Sequence, residues 1–191
     1  MRILTAIGEI GVQVGEKSWK LRPSLYAMSL LPDPVKAFAA LYDEATPPVE
    51  RWLAAVDTLA ACCDEDVTDL VGHTGDSPDE WTPGELPAID CVLLAMSLIR
   101  HGVVGVVPEL PDTGEAKREY VQKFEPQAFA AMAMAHLGLS EAHAWDMTVT
   151  GFTLAMRAKF PQPKSDNPTL AEAEKVSQWL DQVNKLRERR H

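Results

Sequence analysis

Cys62, Cys63, His73, Cys91 and His101 are the residue types that bind zinc, and their spacing decides whether they do. Tight chelation is built from short paired units such as Cys-x-x-Cys or His-x-x-x-His, which fix two ligands on one local frame. Cys62 and Cys63 are instead adjacent, and no second close pair follows. The cysteines therefore read as small buried hydrophobes. His136 and His143 lie seven positions apart around a helix break with acids nearby, a pattern of capping or surface histidines rather than of a metal or catalytic pair. Asp64, Glu65 and Asp66 offer carboxylates for proton transfer or a hard cation, but the alternating ligands and central Gly of a calcium loop are missing, so a solvated acidic face is expected. Neither a Gly-rich phosphate cradle nor a Gly-x-Ser-x-Gly elbow occurs. The expectation is a protein with no catalytic, cofactor-binding or metal residues.

The elements that carry these side chains centre on residues 124–160, where apolar positions recur at three and four residues. Pro126 suits a first helical turn, because its φ is already helical and its missing N–H would have no partner there. Gly138 closes that helix in the left-handed conformation, with Leu139 folding back onto the last turn. Ser140 caps a second helix through Trp145. Thr148 caps a third, in which Phe152, Leu154 and Met156 supply apolar surface, Arg157 and Lys159 meet the negative end of the dipole, and Pro161 stops the run. Helices this short hold only by packing on one another.

Upstream, Ile10, Val12 and Val14 alternate at the period of a strand, residues 15–17 turn, and Trp19 and Leu21 share one side of a second strand. Ser24 caps a helix over residues 25–31. A second helix starts after Pro34. A third follows Pro47 and Pro48, with Val49, Trp52, Leu53, Val56, Leu59 and Ala60 on its apolar face. Residues 64–87 read as a short acidic helix and an exposed loop. From Pro87 the most apolar helix begins, hydrophobic nearly all round and so expected to be centrally buried. Residues 103–114 are an extended segment or a loop. The fold expected is mainly α: a compact multi-helix domain over residues 1–161 that begins with a short β-hairpin, then a Pro-containing linker at 162–168 and a C-terminal amphipathic helix at 169–191. Thr169 and Glu172 open that last helix with capping-box spacing. It docks on the body, pairs with a copy of itself or stays mobile; the pattern leaves these open, and with them homo-oligomerisation.

The net charge of −10 is concentrated: residues 43–90 hold thirteen Asp and Glu against Arg51 alone. A phosphate backbone is repelled by such a segment, which argues against nucleic acid as a partner. The longest apolar run, residues 91–99, is far short of the roughly 20 residues of a membrane span, so no membrane is expected. The first residues make too short an apolar stretch for a secretory signal and include Glu9, and three cysteines form no disulfide framework, which together imply a cytoplasmic protein. Trp145, Phe152, Met156, Met132 and Trp179 are the candidate partner-binding residues, since short helices with surplus Met and aromatic side chains make an adaptable surface as well as a core.

Two stretches resemble a known family. Val12, Val14 and Gly15, followed by Leu21, Arg22, Pro23 and Ser24, resemble the hairpin and Leu-Arg-Pro-Ser opening of phage tail assembly chaperones, including those of gene transfer agents. Leu137, Gly138, Leu139, Ser140, Trp145, Met147, Thr148 and Phe152 resemble the end segment of small tail assembly proteins. The resemblance implies a non-enzymatic chaperone that coats the tape measure protein, keeps its helices soluble and hands it to the tail tube protein. It also implies residence in the host cytoplasm and absence from the mature virion. A structural tail or head–tail adaptor is the alternative, and an acidic host-directed inhibitor a further one.

Overall fold

The hairpin forms where the period-two pattern places it. The computed structural model describes residues 2–74, 81–106 and 123–161. After a short 3-10 turn at Thr5–Ile7, β1 (Ile10–Val14) and β2 (Lys17–Leu21) run antiparallel, with Ile10 opposite Leu21 and Val12 opposite Trp19. Gly15 takes φ +58 in the turn, a conformation a residue without Cβ adopts at no steric cost. Trp19 and Leu21 are buried, and the Trp19 indole N–H donates to the Asp66 carbonyl at 3.1 Å, which satisfies its polar end.

Helix α1 (Leu25–Leu30) starts at Ser24, whose Oγ accepts the Ala27 N–H at 3.0 Å. Helix α2 (Pro34–Tyr42) is capped in the same way by Asp33, and α3 (Pro48–Ala61) begins with Pro in its first turn. A single helical turn, α4 (Thr68–Val71), then leads into β3 (Gly72–Thr74), which pairs antiparallel with β4 (Trp81–Pro83). Helix α5 (Ala88–Ile99) continues as a π turn over Arg100–Val104. The organising stretch gives α6 (Pro126–Met132) with a π turn at Ala133–Leu137, α7 (Glu141–Trp145) and α8 (Val149–Lys159). Gly138 at φ +69 ends the first of these, and Ser140 and Thr148 cap the other two through the His143 and Gly151 amides. The fold is mainly α, introduced by a short hairpin, and its elements belong to one compact unit.

Two hydrophobic clusters fill that unit. The first lies under the hairpin and α1–α5, with Leu21, Met28, Leu59, Leu70, Leu98 and Ile99 fully buried. The second is built by α6–α8 around Ala130, Ala133, Ala144 and Phe152. Helix α1 serves both, giving Ala27 and Met28 to the first and Leu25 to the second, and Phe124 packs against each. In the second cluster Phe129 lies 5.4 Å from Phe124 and meets Phe152 edge-on at 5.4 Å, a geometry that brings ring edge to ring face.

Four expectations change. The buried face of α3 is Ala55, Thr58 and Leu59, not the stripe through Val49, Leu53 and Ala60, which are exposed. A threonine can face inward there because its Oγ1–H donates to the Ala54 carbonyl at 2.7 Å. Helix α5 is not buried all round: Cys91, Val92, Ala95, Leu98 and Ile99 face in, while Ile89 and Leu93 face out. The 64–87 segment is no simple exposed loop, since Leu70 and Val71 are buried and β3 pairs with β4. Val103 and Val104 extend a helix as part of its π turn rather than forming a strand or loop. The linker at 162–168 and the helix at 169–191, with Trp179, lie outside the described residues.

Candidate functional site

The four residues Leu21 to Ser24 are the joint of the fold. Leu21 is buried in the first cluster, and its strand bridges to Cys63 while the Arg22 amide donates to the Cys62 carbonyl at 2.6 Å. Pro23 is buried, Ser24 caps α1, and Leu25 enters the second cluster while its amide donates to the Met147 carbonyl at 2.7 Å. Arg22 spans the same gap with its side chain. One Nη donates to Glu9 Oε1 at 2.7 Å; Nε and the other Nη donate to the Asp146 carbonyl at 3.0 and 2.8 Å, with the Asp146 carboxylate at 2.9 Å. A planar guanidinium with several fixed donors is suited to this task, and an ammonium is not.

Glu9 is the acidic end of the clamp. Its side chain has no exposed surface, and it accepts from Arg22, from Lys20 Nζ at 2.9 Å and from the Leu4 amide at 2.7 Å. Burial alone raises its carboxyl, but the hydrogen bonds from Lys20 and Leu4 and the charges of Arg22 and Lys20 outweigh burial, so it is held below the ordinary value. A carboxylate saturated by cations in this way is a structural group. It has no free lone pair directed at a substrate.

The other chemistry-bearing residues are likewise engaged in the fold. Burial raises the thiols of Cys62, Cys63 and Cys91, which suppresses the reactive thiolate. The Asp66 carboxylate accepts from the Thr68 amide and hydroxyl at the start of α4, and those bonds hold its pKa low. His143 Nδ1 pairs with Ser140 Oγ at 2.7 Å, and the His136 ring meets Phe160 edge-on. His101 Nδ1 lies 2.9 Å from Thr150 Oγ1, packed so close to Gly8 that a Cβ there would lie 2.4 Å from the imidazole. Burial lowers the His101 pKa, with Arg100 adding to the effect. Among the described residues no three His, Cys, Asp or Glu side chains converge as a metal site.

What remains available is apolar surface. Val49 is 70% exposed and Leu53 46%, one turn apart on α3; Ile89 is 64% exposed and Leu93 56%, one turn apart on α5. The two helices pack on each other. A cleft of about 290 Å³ opens between Trp52 of α3 and the start of α5 at Pro87 and Ala88, floored by Val71 and flanked by Glu85. Trp52 lies between Val49 and Leu53 in sequence, and Ile89 follows Ala88, so both outward pairs border this cleft. The sequence pattern assigned Val49 and Leu53 to the core and so did not mark this face. Of the candidate partner-binding residues, Phe152 is buried, Trp145 and Met156 are partly covered by the second cluster, and Met132 is exposed beside Met134.

A family model described as a family of unknown function, DUF6246, matches residues 35–175. The chain belongs to this family. The DUF6246 match begins in α2 and includes the α3–α5 face and the stretch from Leu137 to Phe152, whereas the hairpin and the joint at Leu21 to Ser24 precede it. No curated protein and no solved structure matches the chain.

Proposed function

We propose that the chain is a phage tail assembly chaperone that binds the tape measure protein and promotes tail tube assembly without catalysing a reaction. The observation that carries this reading is the outward apolar face of α3 and α5. Each fully exposed aliphatic side chain forgoes about 1.5–3 kcal/mol of burial, which a bound polypeptide recovers. The described titratable groups support it from the other side, because Glu9, Asp66, His101 and the cysteines are engaged in the fold rather than gathered around an open cavity. The two stretches on which the family resemblance rests also meet: Arg22 with Asp146, and Leu25 with Met147. Such contact makes them one unit of structure rather than two unrelated matches. The acidic 43–90 segment keeps a protein with exposed apolar surface soluble and repels nucleic acid.

Co-expression of the chain with the tape measure protein encoded beside it, followed by affinity purification, tests the reading. The expected result is co-purification of the two, a tape measure protein that aggregates when expressed alone, and no copies of the chain in purified particles. Failure to associate refutes the chaperone reading, and abundant copies in the particles assign a structural adaptor instead.

A further inference from the structure

The charges around the α3–α5 face define what it accepts. Glu50 and Asp57 lie on α3 beside and one turn beyond the Val49–Leu53 pair, Asp90 follows Ile89 on α5, and Glu85 lines the cleft; all four are exposed. Arg51 is the cation within these two helices, and its guanidinium donates to the Asp43 carbonyl. Arg100 stands beyond the end of α5. The face is therefore an apolar strip bordered by acid.

We infer that this face binds an amphipathic helix of a partner protein, apolar along one stripe and carrying Lys or Arg on both flanks. The inference rests on the reading that the chain holds helical polypeptides and names the chemistry of the segment held. Two outward pairs at i, i+4 spacing on packed helices present ridges at helical pitch, into which a third helix sets its own side chains. The cleft beside Trp52 takes one large apolar side chain of that helix as an anchor. Flanking cations on the partner meet Glu50, Asp57, Glu85 and Asp90, which fixes orientation and speeds encounter. A second copy of this chain is disfavoured as occupant, because a two-fold contact through one face sets the same acids against themselves. Anionic lipid surfaces and nucleic acids are disfavoured for the same reason.

The test uses the full chain and three labelled helical peptides with one Leu/Met stripe, flanked by Lys, Gln or Glu, titrated by fluorescence anisotropy at low and high salt. The Lys peptide is expected to bind roughly tenfold or more tighter than the Gln peptide, the Glu peptide weakest, with the preference shrinking in salt. Leu53→Gln with Leu93→Gln lowers Lys-peptide affinity at least about tenfold at unchanged circular dichroism, and Glu50→Lys with Asp90→Lys shifts the preference toward the Glu peptide. Equal binding of all three peptides, or a dimer that Leu53→Gln disperses, overturns the inference. The same variants are then scored against the tape measure protein. If that protein still binds the Leu53/Leu93 variant, this face is refuted while the chaperone reading stands; if the Lys peptide binds and the tape measure protein never does, the face stands and the chaperone reading falls.

Discussion

Arg22→Met keeps the length of the side chain and removes the guanidinium that ties Glu9 to the segment before α8. Stripping a buried carboxylate of its partner costs about 3–5 kcal/mol when nothing replaces it. Glu9 keeps Lys20 at 2.9 Å and the Leu4 amide at 2.7 Å, so about 1–2 kcal/mol of that is expected here. The charge-assisted bonds from Arg22 to the Asp146 carbonyl add about 1 kcal/mol. The ion pair with the Asp146 carboxylate, whose side chain is 56% exposed, adds little. A loss of about 2–3 kcal/mol corresponds to a Tm lower by roughly 5–10 °C for a domain of this size. Urea unfolding at neutral pH, followed by tryptophan fluorescence and far-UV circular dichroism, reads it directly. The pH dependence gives a second check. Because the folded Glu9 carboxyl lies below its ordinary 4.5, its contribution is fully present above that value and is lost as pH falls through the lower folded value. The gap between the parent and Arg22→Met is therefore constant from neutral pH to about 4.5 and narrows on further acidification. A loss under about 0.5 kcal/mol, the size of an ordinary surface change, or a gap indifferent to acid, refutes the clamp.

Three further substitutions or labels probe other parts of the fold. In Gly84→Ala the new Cβ would lie 2.3 Å from the Gly72 amide nitrogen and 2.5 Å from the Leu70 carbonyl oxygen, so backbone must move; a loss of about 1–3 kcal/mol by thermal unfolding is expected, and an unchanged Tm refutes the packing. Thr150→Val removes the Oγ1 that accepts the Val106 amide at 2.8 Å and pairs with His101, for a loss of about 1–3 kcal/mol and faster hydrogen exchange at Val106, with Thr150→Ser retaining most of both. In the native protein, thiol reagents at mildly alkaline pH should reach Cys62 and Cys91 only on unfolding and Cys63 slowly, so labelling of all three at the rate of a free thiol contradicts their burial.

The parts of this fold written in local chemistry were legible. Pro126, Gly138, Ser140 and Thr148 each act on backbone groups within four residues, and each sits where its chemistry placed it. The hairpin was legible for the same reason, since alternation and a turn glycine are local signals. The face of α3 was not. Large side chains dominate a periodicity count, yet the interior side is Ala55, Thr58 and Leu59, where small residues let α5 approach and a back-bonded threonine hides its hydroxyl. Two 3-residue strands were also hidden: the pairing of Gly72 with Pro83 depends on contact across intervening acid and glycine, which leaves no periodic trace. The clamp was missed because Glu9, Arg22 and Asp146 are far apart in sequence, and only the fold brings them together.

The joint and the outward face answer to different forces, and that separates them experimentally. Arg22 joins two packed clusters, so its removal acts on the equilibrium between folded and unfolded chain. Leu53 and Leu93 are about half exposed, and replacing them with glutamine takes little from either cluster, so stability should move by no more than about 0.5 kcal/mol. A partner helix that covers them converts the same side chains into buried contacts, and their loss then appears in the dissociation rate. Arg22→Met should therefore lower Tm while leaving partner affinity unchanged at temperatures where the chain stays folded, and Leu53→Gln with Leu93→Gln should do the reverse. If both substitutions move stability and binding together, the α3–α5 face is part of the core it was separated from, and the surface available to a partner must be sought at Met132 and Met134 instead.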